Sequence, residues 1–364
     1  MKFVHIMGAG GMYTHDFSKM IAESFDPKNH CFLSRMSDHD NFSVARKNGV
    51  EIVNPISIRA IRILHSCDCI VCHGMINPKN LALYSLLPSL CRKTNWVIWG
   101  GDIYHDKDAE SQKKASAIDF LRRRIYKRFK WATTLSGEDY AYARKTYGLK
   151  AREFEGCYPV PATLNAGLVE EAIRAKANKN DGPYVIQVGN SATATNQHMQ
   201  ALDMLSKFKD RDFELFLPLN YGAAGYERYA NEVVDHAVGL FGPNRVIALR
   251  ERMGGADYLE LLSKVDVGVF NNNRQQAMGN ISQLILMGAK VYLRKDVSMW
   301  KHFESLGCVL NDFDSITQLS FEDFIKEDPG VKEANIAIIK KRHSLEEKVD
   351  MWRYIFSEME KEQS

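Results

Sequence analysis

No apolar run in this chain approaches the ~20 residues that a membrane-spanning helix needs, which excludes a helical span. The apolar start, Met1-Lys2-Phe3-Val4-His5-Ile6-Met7, is too short for a signal peptide and runs straight into a glycine-rich turn. It is expected to be the first strand of a cytoplasmic protein. Cysteine is sparse and odd in number, seven in 364 residues, and without an export signal reduced thiols are expected rather than a disulfide framework. Cys67, Cys69 and Cys72 lie between His65 and His73, a stretch with the composition of a metal site. No second Cys-x-x-Cys pair follows to close a tetrahedral site, and on a strand Cys69 and Cys72 point to opposite faces. Buried structural thiols are therefore expected, and no metal. Net charge is almost absent: 48 Lys and Arg against 45 Asp and Glu leave +3. With no recognised nucleic-acid-binding module, that argues against nucleic acid as a partner. Internal repeats and low-complexity tracts are also missing.

What is present is an alternation of apolar strands and helices. The first half places strands at 2–7, 31–34, 51–53, 69–72, 95–99 and 131–135. Helices are expected at 14–24, with Thr14 as N-cap, at 80–90 and at 114–130, and another begins after Ser136 as its cap. Tyr158-Pro159-Val160-Pro161 breaks the pattern, and strands resume at 184–188, 214–218, 245–248, 265–270 and 290–293. The charged tail, 344–361, is a helix with Met351, Trp352, Ile355 and Phe356 at helical spacing. Such alternation implies mostly parallel sheets covered on both faces, and the length has room for two of them. The expected organisation is an N-terminal domain 1–160, a linker region 161–183, a C-terminal domain 184–340 and a final helix 341–364.

Ligands of doubly wound sheets sit beyond the carboxyl ends of the strands, so the loops there carry the chemistry. Strand 184–188 is followed by Gly189-Asn190-Ser191-Ala192-Thr193-Ala194-Thr195-Asn196-Gln197-His198 and then a helix. Free backbone N–H groups and the helix dipole favour an anion there, and Ser191, Thr193 and Thr195 add hydroxyl donors. Asn271-Asn272-Asn273-Arg274-Gln275-Gln276-Ala277-Met278-Gly279-Asn280 again runs from strand to helix, and Arg274 can grip a phosphate with two bonds. Two such anion sites in one domain suit a diphosphate, and Pro218-Leu219-Asn220-Tyr221-Gly222 lies where a base or ribose pocket would be lined. None of these loops carries an acidic pair to hold a metal. The donor-binding candidates are Gly189, Asn190, Ser191, Asn196, Asn220, Tyr221, Arg274, Gln275, Gln276, Gly279 and Asn280.

In the first half, Trp96-Val97-Ile98-Trp99-Gly100-Gly101-Asp102-Ile103-Tyr104 delivers a carboxylate after a strand and two glycines. Asp102 could take a proton from an acceptor hydroxyl; its bland alternative is an Asx turn or helix cap. Gly8-Ala9-Gly10-Gly11 opens like a dinucleotide fingerprint, but Tyr13 stands at the third glycine, and Arg35 follows the second strand where a ribose-binding acid would be. His15, at the start of the next helix, is a second candidate base or an exposed histidine. His73-Gly74-Met75-Ile76-Asn77-Pro78 suits sugar or phosphate recognition, or is a turn with Pro78 in the first helical turn. The acceptor-binding candidates are Gly10, Gly11, His73, Asn77 and Tyr104. Arg122, Arg123, Arg124, Lys127, Arg128 and Trp131 belong to a basic helix with interleaved aromatics, suited to an anionic membrane surface or simply to solvent.

In this order, His73-Gly74…Asn77-Pro78, Ile98-Trp99-Gly100-Gly101-Asp102-Ile103-Tyr104, Val188-Gly189-Asn190-Ser191…Asn196-Gln197-His198, Pro218-Leu219-Asn220-Tyr221 and Arg274-Gln275-Gln276…Gly279 resemble the bacterial 4-acetamido-4,6-dideoxygalactose (Fuc4NAc) transferases of the enterobacterial common antigen type. Gly101 stands where that family often has alanine. The resemblance spans nearly the whole chain and implies a GT-B fold: two Rossmann-like, doubly wound α/β domains facing a central cleft. It implies acceptor binding in the first domain, donor nucleotide in the second, and a last helix that returns to the first. It further implies transfer of a Fuc4NAc-like sugar from a dTDP-sugar to an undecaprenyl-diphosphate-linked saccharide in cell-surface polysaccharide assembly. The enzyme would be peripheral, at the cytoplasmic face of the inner membrane. The phosphates would sit at 189–191, Arg274 and the helix start at Gly279 and Asn280, with helix dipole and Arg274 in place of a metal and no cofactor. Asp102, then His15, would activate the acceptor hydroxyl; in a reaction that retains configuration neither need be a base. Two other readings stand beside this one. An NADP-dependent oxidoreductase would use Gly8-Ala9-Gly10 and Arg35, and a non-catalytic module would bind a sugar nucleotide or lipid head group.

Overall fold

Every residue of β4 (Cys69–His73) and of β11 (Val267–Phe270) is buried, as expected of parallel strands covered on both faces. The computed structural model describes residues 1–7, 12–34, 42–55, 57–75, 77–104, 115–160, 163, 166–177, 182–222, 225–251, 253–326 and 328–363. The chain divides into two units, Met1–Leu164 with His343–Ser364, and Asn165–Arg342.

The first unit holds a seven-stranded parallel sheet. Its strands are β1 (Phe3–Met7), β2 (His30–Leu33), β3 (Glu51–Val53), β4, β5 (Thr94–Val97), β6 (Trp131–Thr134) and β7 (Arg152–Glu155), in the order β3-β2-β1-β4-β5-β6-β7. The order reverses between β1 and β4, so the loops after these two strands diverge and leave room for a ligand. The helix after β1 runs Met12–Ser24, which puts Thr14 inside its first turn and buries it rather than making it a cap. The helix Pro78–Leu86 stops short of residue 90 because Pro88 has no N–H to continue it, and Pro88–Lys93 forms a 3-10 turn instead. Ser136 stands at the cap of Gly137–Tyr147, but its side chain makes no capping bond.

The terminal helix, Leu345–Gln363, packs into this first unit. Trp352, Ile355, Phe356 and Met359 are buried with Phe3, Phe17, Cys69 and Val71. One buried indole removes roughly 150–250 Å2 from water, so Trp352 alone contributes several kcal/mol of hydrophobic stabilisation. Polar contacts fix the helix register: Trp352 Nε1 donates to the Cys157 carbonyl at 3.0 Å, and Trp131 Nε1 donates to Glu362 at 2.8 Å. A Cβ at Gly156 would lie 2.5 Å from Thr133 Cγ2 and 3.1 Å from Ile355 Cδ1, so glycine permits this close approach. Six of the cysteines are buried and Cys157 is half-buried. Among the described residues no group of three or more His, Cys, Asp or Glu is placed to hold a metal ion.

The second unit holds a six-stranded parallel sheet of β8 (Tyr184–Val188), β9 (Phe213–Pro218), β10 (Val246–Leu249), β11, β12 (Lys290–Leu293) and β13 (Asn311–Asp312), in the order β10-β9-β8-β11-β12-β13. Here the order reverses between β8 and β11. The helix Ala166–Ala177, expected within a linker, is part of this unit: it buries Val169 and packs against the helix Gly255–Ser263.

Candidate active site

At the carboxyl edge of the second sheet, three loops are tied together. β8 ends in Gly189, whose φ of +67° turns the chain sharply and whose N–H donates to Val269 O of β11 at 3.0 Å. Asn196 is the buried hub of the loop that follows. Its Oδ1 accepts from Asn190 N and from Asn272 Nδ2, each at 3.0 Å, and its Nδ2 donates to Ser191 O at 2.9 Å and Thr193 Oγ1 at 2.8 Å. With both ends of its amide occupied, Asn196 shapes the loop. A ladder of hydroxyls, Ser191 to Thr193 at 3.1 Å and Thr193 to Thr195 at 3.2 Å, ends where Thr195 donates to Gln276 Oε1 at 2.8 Å. Asn190 Nδ2 donates to Tyr221 Oη at 2.8 Å, and Gln276 Nε2 donates to Asn190 Oδ1 at 3.4 Å. The loops after β8, β9 and β11 thus meet through Asn190, Tyr221 and Gln276.

Arg274 is half-buried, and its charge lowers the phenol of Tyr221 against the larger upward push of burial. Beyond it, Ala277 takes a left-handed φ of +61° and supplies no side-chain cap to the helix Met278–Leu286. The first-turn N–H groups, Gly279 and Asn280 included, are therefore left without an intrahelical acceptor and available to an anion. Asn280 itself is engaged behind them, accepting from Gln187 Nε2 at 2.7 Å and donating to Tyr258 Oη. Gln275 is buried. The Asn220 side chain donates to Glu251 O at 3.2 Å rather than to Asn190 or the Tyr221 hydroxyl. His198, which sequence reasoning used only as a helix start, underlies Gly189. Its Nδ1 bonds the Tyr229 hydroxyl at 3.0 Å, and burial holds the ring neutral, with its pKa lowered to about 3.

In the first unit the structure revises the acceptor candidates. Asp102 has no exposed surface: Oδ1 accepts from Met75 N at 2.8 Å, and Oδ2 accepts from Trp99 N at 3.0 Å and Trp96 Nε1 at 3.1 Å. A sealed carboxylate that joins the loops after β4 and β5 has no open face toward an acceptor hydroxyl, which fits a positioning role better than that of a base. Burial pushes its carboxyl up to about 7, opposed by the bonds from Trp99, Met75 and Trp96. A carboxyl whose folded pKa is raised contributes stability that is full below about pH 4 and lost as pH rises through 7. Asp102→Ala leaves buried donors unpaired at ~1–3 kcal/mol each, and is expected to destabilise the protein by about 3 kcal/mol in denaturant melts. Wild-type stability with lost turnover would instead return Asp102 to a catalytic role.

His73 is buried at the end of β4 with both ring nitrogens engaged. Asn77 caps the helix Pro78–Leu86 by accepting from Lys79 N at 3.0 Å. Tyr104 is buried and donates to Asp139 at 2.6 Å. None of these three is a free acceptor ligand, and Gly10 and Gly11, like Gly8 and Arg35, lie outside the described residues. Tyr13, His15 and Trp99 are half-exposed at this edge. Tyr13 and Trp99 meet at 5.4 Å between ring centroids, with Tyr158 buried behind them. His15 is 38% exposed, and its Nδ1 lies 3.0 Å from Asp16 Oδ1. With Nδ1–H donating to the buried Asp16 carboxylate, Nε2 is the nitrogen left to accept a proton, a pairing suited to proton abstraction. Tyr13 and Trp99 escaped the sequence reading because they meet only across the β1 and β5 loops.

The basic helix, Ala115–Tyr126, also departs from expectation. Arg122 is half-buried beside Tyr126, and Arg123 pairs with Asp119 at 3.0 Å. Trp131 opens β6 in the core and faces no solvent. Arg124, Lys127 and Arg128 remain exposed, and among the described residues of this region Leu86, Ile118 and Phe120 are apolar side chains that face water. Among the described residues no helix is long and apolar enough to cross a membrane.

Comparison with solved structures places both sheets in one familiar architecture. An Anabaena protein, HepE, solved with UDP and glucose, is 13% identical with a TM-score of 0.69, and the match covers 98% of this chain and 100% of that one. A glycosyltransferase from Rickettsia africae is 14% identical with a TM-score of 0.65, covering 98% of each chain. A UDP-forming α,α-trehalose-phosphate synthase from Burkholderia xenovorans is 11% identical with a TM-score of 0.64, covering 99% of this chain and 98% of its own. The fold is GT-B. The chain belongs to glycosyl transferase group 56, whose family profile, described as 4-alpha-L-fucosyltransferase, matches residues 54–341. It is a glycosyltransferase, which sets aside the oxidoreductase and the non-catalytic readings.

Proposed function

We propose that this glycosyltransferase moves a 4-acetamido-4,6-dideoxyhexose, Fuc4NAc-like, from a dTDP-sugar to a polyprenyl-diphosphate-linked saccharide during cell-surface polysaccharide assembly. The observation that carries the donor half is the meeting of the β8, β9 and β11 loops, with half-buried Arg274 beside an uncapped helix start. These groups match the charge that develops on a leaving nucleoside diphosphate, and they supply it from fixed positions without a metal. The solved HepE complex with UDP and glucose supports a nucleotide-linked donor. The acceptor half rests on the first unit. Tyr13 and Trp99 offer apolar faces to a sugar ring, and His15 Nε2 takes the proton of the attacking hydroxyl while Asp16 holds the ring. Exposed Arg124, Lys127 and Arg128, with Phe120, suit an anionic lipid surface, which supports a peripheral enzyme at the cytoplasmic face of the inner membrane.

Thermal melts with dTDP, UDP, GDP and CDP, without added metal, test the donor assignment, because a ligand that binds only the folded state raises Tm. A rise with dTDP above the other three is expected. Arg274→Ala is expected to weaken dTDP binding by about 10–100-fold, the worth of one charge-assisted contact. A panel in which no nucleoside diphosphate shifts the melt would refute the donor site.

A further inference from the structure

Three histidines share one face of the first sheet. β1 pairs with β2 so that Phe3 stands beside His30, and with β4 so that Met7 stands beside His73. Side chains alternate along a strand, so His5 faces the same way as Phe3 and Met7, and His30, His5 and His73 form a diagonal across the sheet. Hydrogen bonds close it. His30 Nδ1 lies 3.0 Å from His5 Nε2, His5 Nδ1 lies 3.0 Å from His73 Nε2, and His73 Nδ1 lies 2.6 Å from Tyr158 Oη. Trp99 Nε1 then lies 3.3 Å from the same Tyr158 oxygen. The three imidazoles and Tyr158 are buried beneath Phe17, Trp352 and Phe356; Trp99 is half-exposed at the edge where the acceptor is assigned.

The chemistry of the ends sets a direction for the whole chain. Burial keeps His5 well below its ordinary range, lowers His30 to about 4 and His73 to about 3, so at neutral pH each ring carries one N–H. An indole N–H only donates, so the Tyr158 oxygen accepts from Trp99. The Tyr158 hydroxyl then donates to His73 Nδ1, its acceptor among the described residues. His73 must carry its proton on Nε2 and donate to His5 Nδ1, and His5 must carry its proton on Nε2 and donate to His30 Nδ1. The opposite direction would bring two donors to the Tyr158 oxygen and leave its hydroxyl without that acceptor.

We propose that His5, His30 and His73 are positioning residues of the acceptor site, a one-way hydrogen-bond chain that fixes the Tyr158 hydroxyl and, through it, the indole of Trp99. This rests on the assignment of the acceptor to the first unit. Cutting the chain at its centre frees His73 to place its proton on Nδ1, against the Tyr158 hydroxyl, and the indole loses its fixed partner.

The test uses the full-length protein with 15N-labelled histidine, comparing wild type, His5→Phe and His5→Gln. In wild type at pH 7, His5, His73 and His30 are expected to be neutral with the proton on Nε2. His5→Phe keeps an aromatic ring but cuts the chain. It should return His73 to mixed tautomers and raise KM for a synthetic prenyl-diphosphate-linked disaccharide about three- to tenfold, the worth of one neutral hydrogen bond. The kcat and dTDP affinity should hold. Glutamine both accepts and donates, so His5→Gln should recover part of the loss. A proton on Nδ1 of wild-type His73, or an unchanged KM in His5→Phe, overturns the proposal. If His5→Phe does not fold, Tyr158→Phe removes the donor at the other end and is read by the same tautomer signal. If the disaccharide is not a substrate at all, the acceptor reading fails while the tautomer pattern still decides whether the chain exists.

Discussion

Replacing His15 by glutamine is expected to slow turnover by roughly 10²–10⁴-fold, the range a positioned general base supplies, with dTDP affinity and melting temperature near wild type. The expectation comes from weighing two candidates. Asp102 is a carboxyl group but has no access, since it is sealed under Trp96, Trp99 and Met75. His15 has both: a ring 38% exposed at the carboxyl edge of the sheet and a buried carboxylate 3.0 Å from Nδ1. Asp16→Asn is expected to cost less, because an amide oxygen still accepts the Nδ1 proton while the negative charge that favours the imidazolium is gone. Steady-state kcat together with calorimetric dTDP binding distinguishes these outcomes. Near-normal turnover in His15→Gln would remove the histidine from the chemistry and leave the acceptor hydroxyl to be activated without a protein base, as a configuration-retaining mechanism allows.

Gly189→Ala is expected to be nearly as damaging, through the donor site. A side chain there meets a φ of +67°, and its Cβ would lie 2.4 Å from His198 Nε2 and 2.9 Å from Asn196 Oδ1. Neither neighbour has room to give: His198 is buried and held by Tyr229, and Asn196 is bonded at both ends of its amide. Backbone strain of about 1–2 kcal/mol adds to overpacking of about 1–3 kcal/mol, a fall in Tm of roughly 10 °C. Because the same loop carries Asn190 and Ser191, dTDP binding should fall by more than about tenfold. Gly225→Ala is the control, with a similar φ of +77° and no atom within 4 Å of the new Cβ. It should show the strain alone, with dTDP affinity intact. Equal losses in the two variants would mean that backbone strain, and not the His198 contact, sets the cost at Gly189.

The parts of this molecule that were legible in its sequence are those where burial leaves a local pattern. β4 and β8 read as strands because neighbouring helices bury them, which forces apolar runs that turn residues interrupt. β7 did not, because it is an edge strand in which only Phe154 is buried, and β13 is two residues long. The loop after β8 was legible as an anion site from its strand, small polar residues and helix. The roles within it were not. Asn196 looks like a ligand in sequence, and only the fold reveals that its amide is spent on Asn190, Asn272, Ser191 and Thr193. The same holds for Asp102 and Trp131: a carboxylate after two glycines and a tryptophan among arginines look exposed, but Met75, Trp96 and Trp99 close over the first and the terminal helix covers the second. His5 and His30 carried no local signal, being 25 residues apart and joined only through strand register.

The return of Leu345–Gln363 to the first unit has a consequence for synthesis. The second unit is continuous in sequence, whereas the first is closed by a helix that follows it. As the chain leaves the ribosome, Phe3, Phe17, Cys69 and Val71 emerge early, but the Trp352, Ile355 and Phe356 that cover them emerge only after the whole of Asn165–Arg342. The domain that begins first is therefore completed last, and until then its sheet offers a greasy face to chaperones while its neighbour is free to fold.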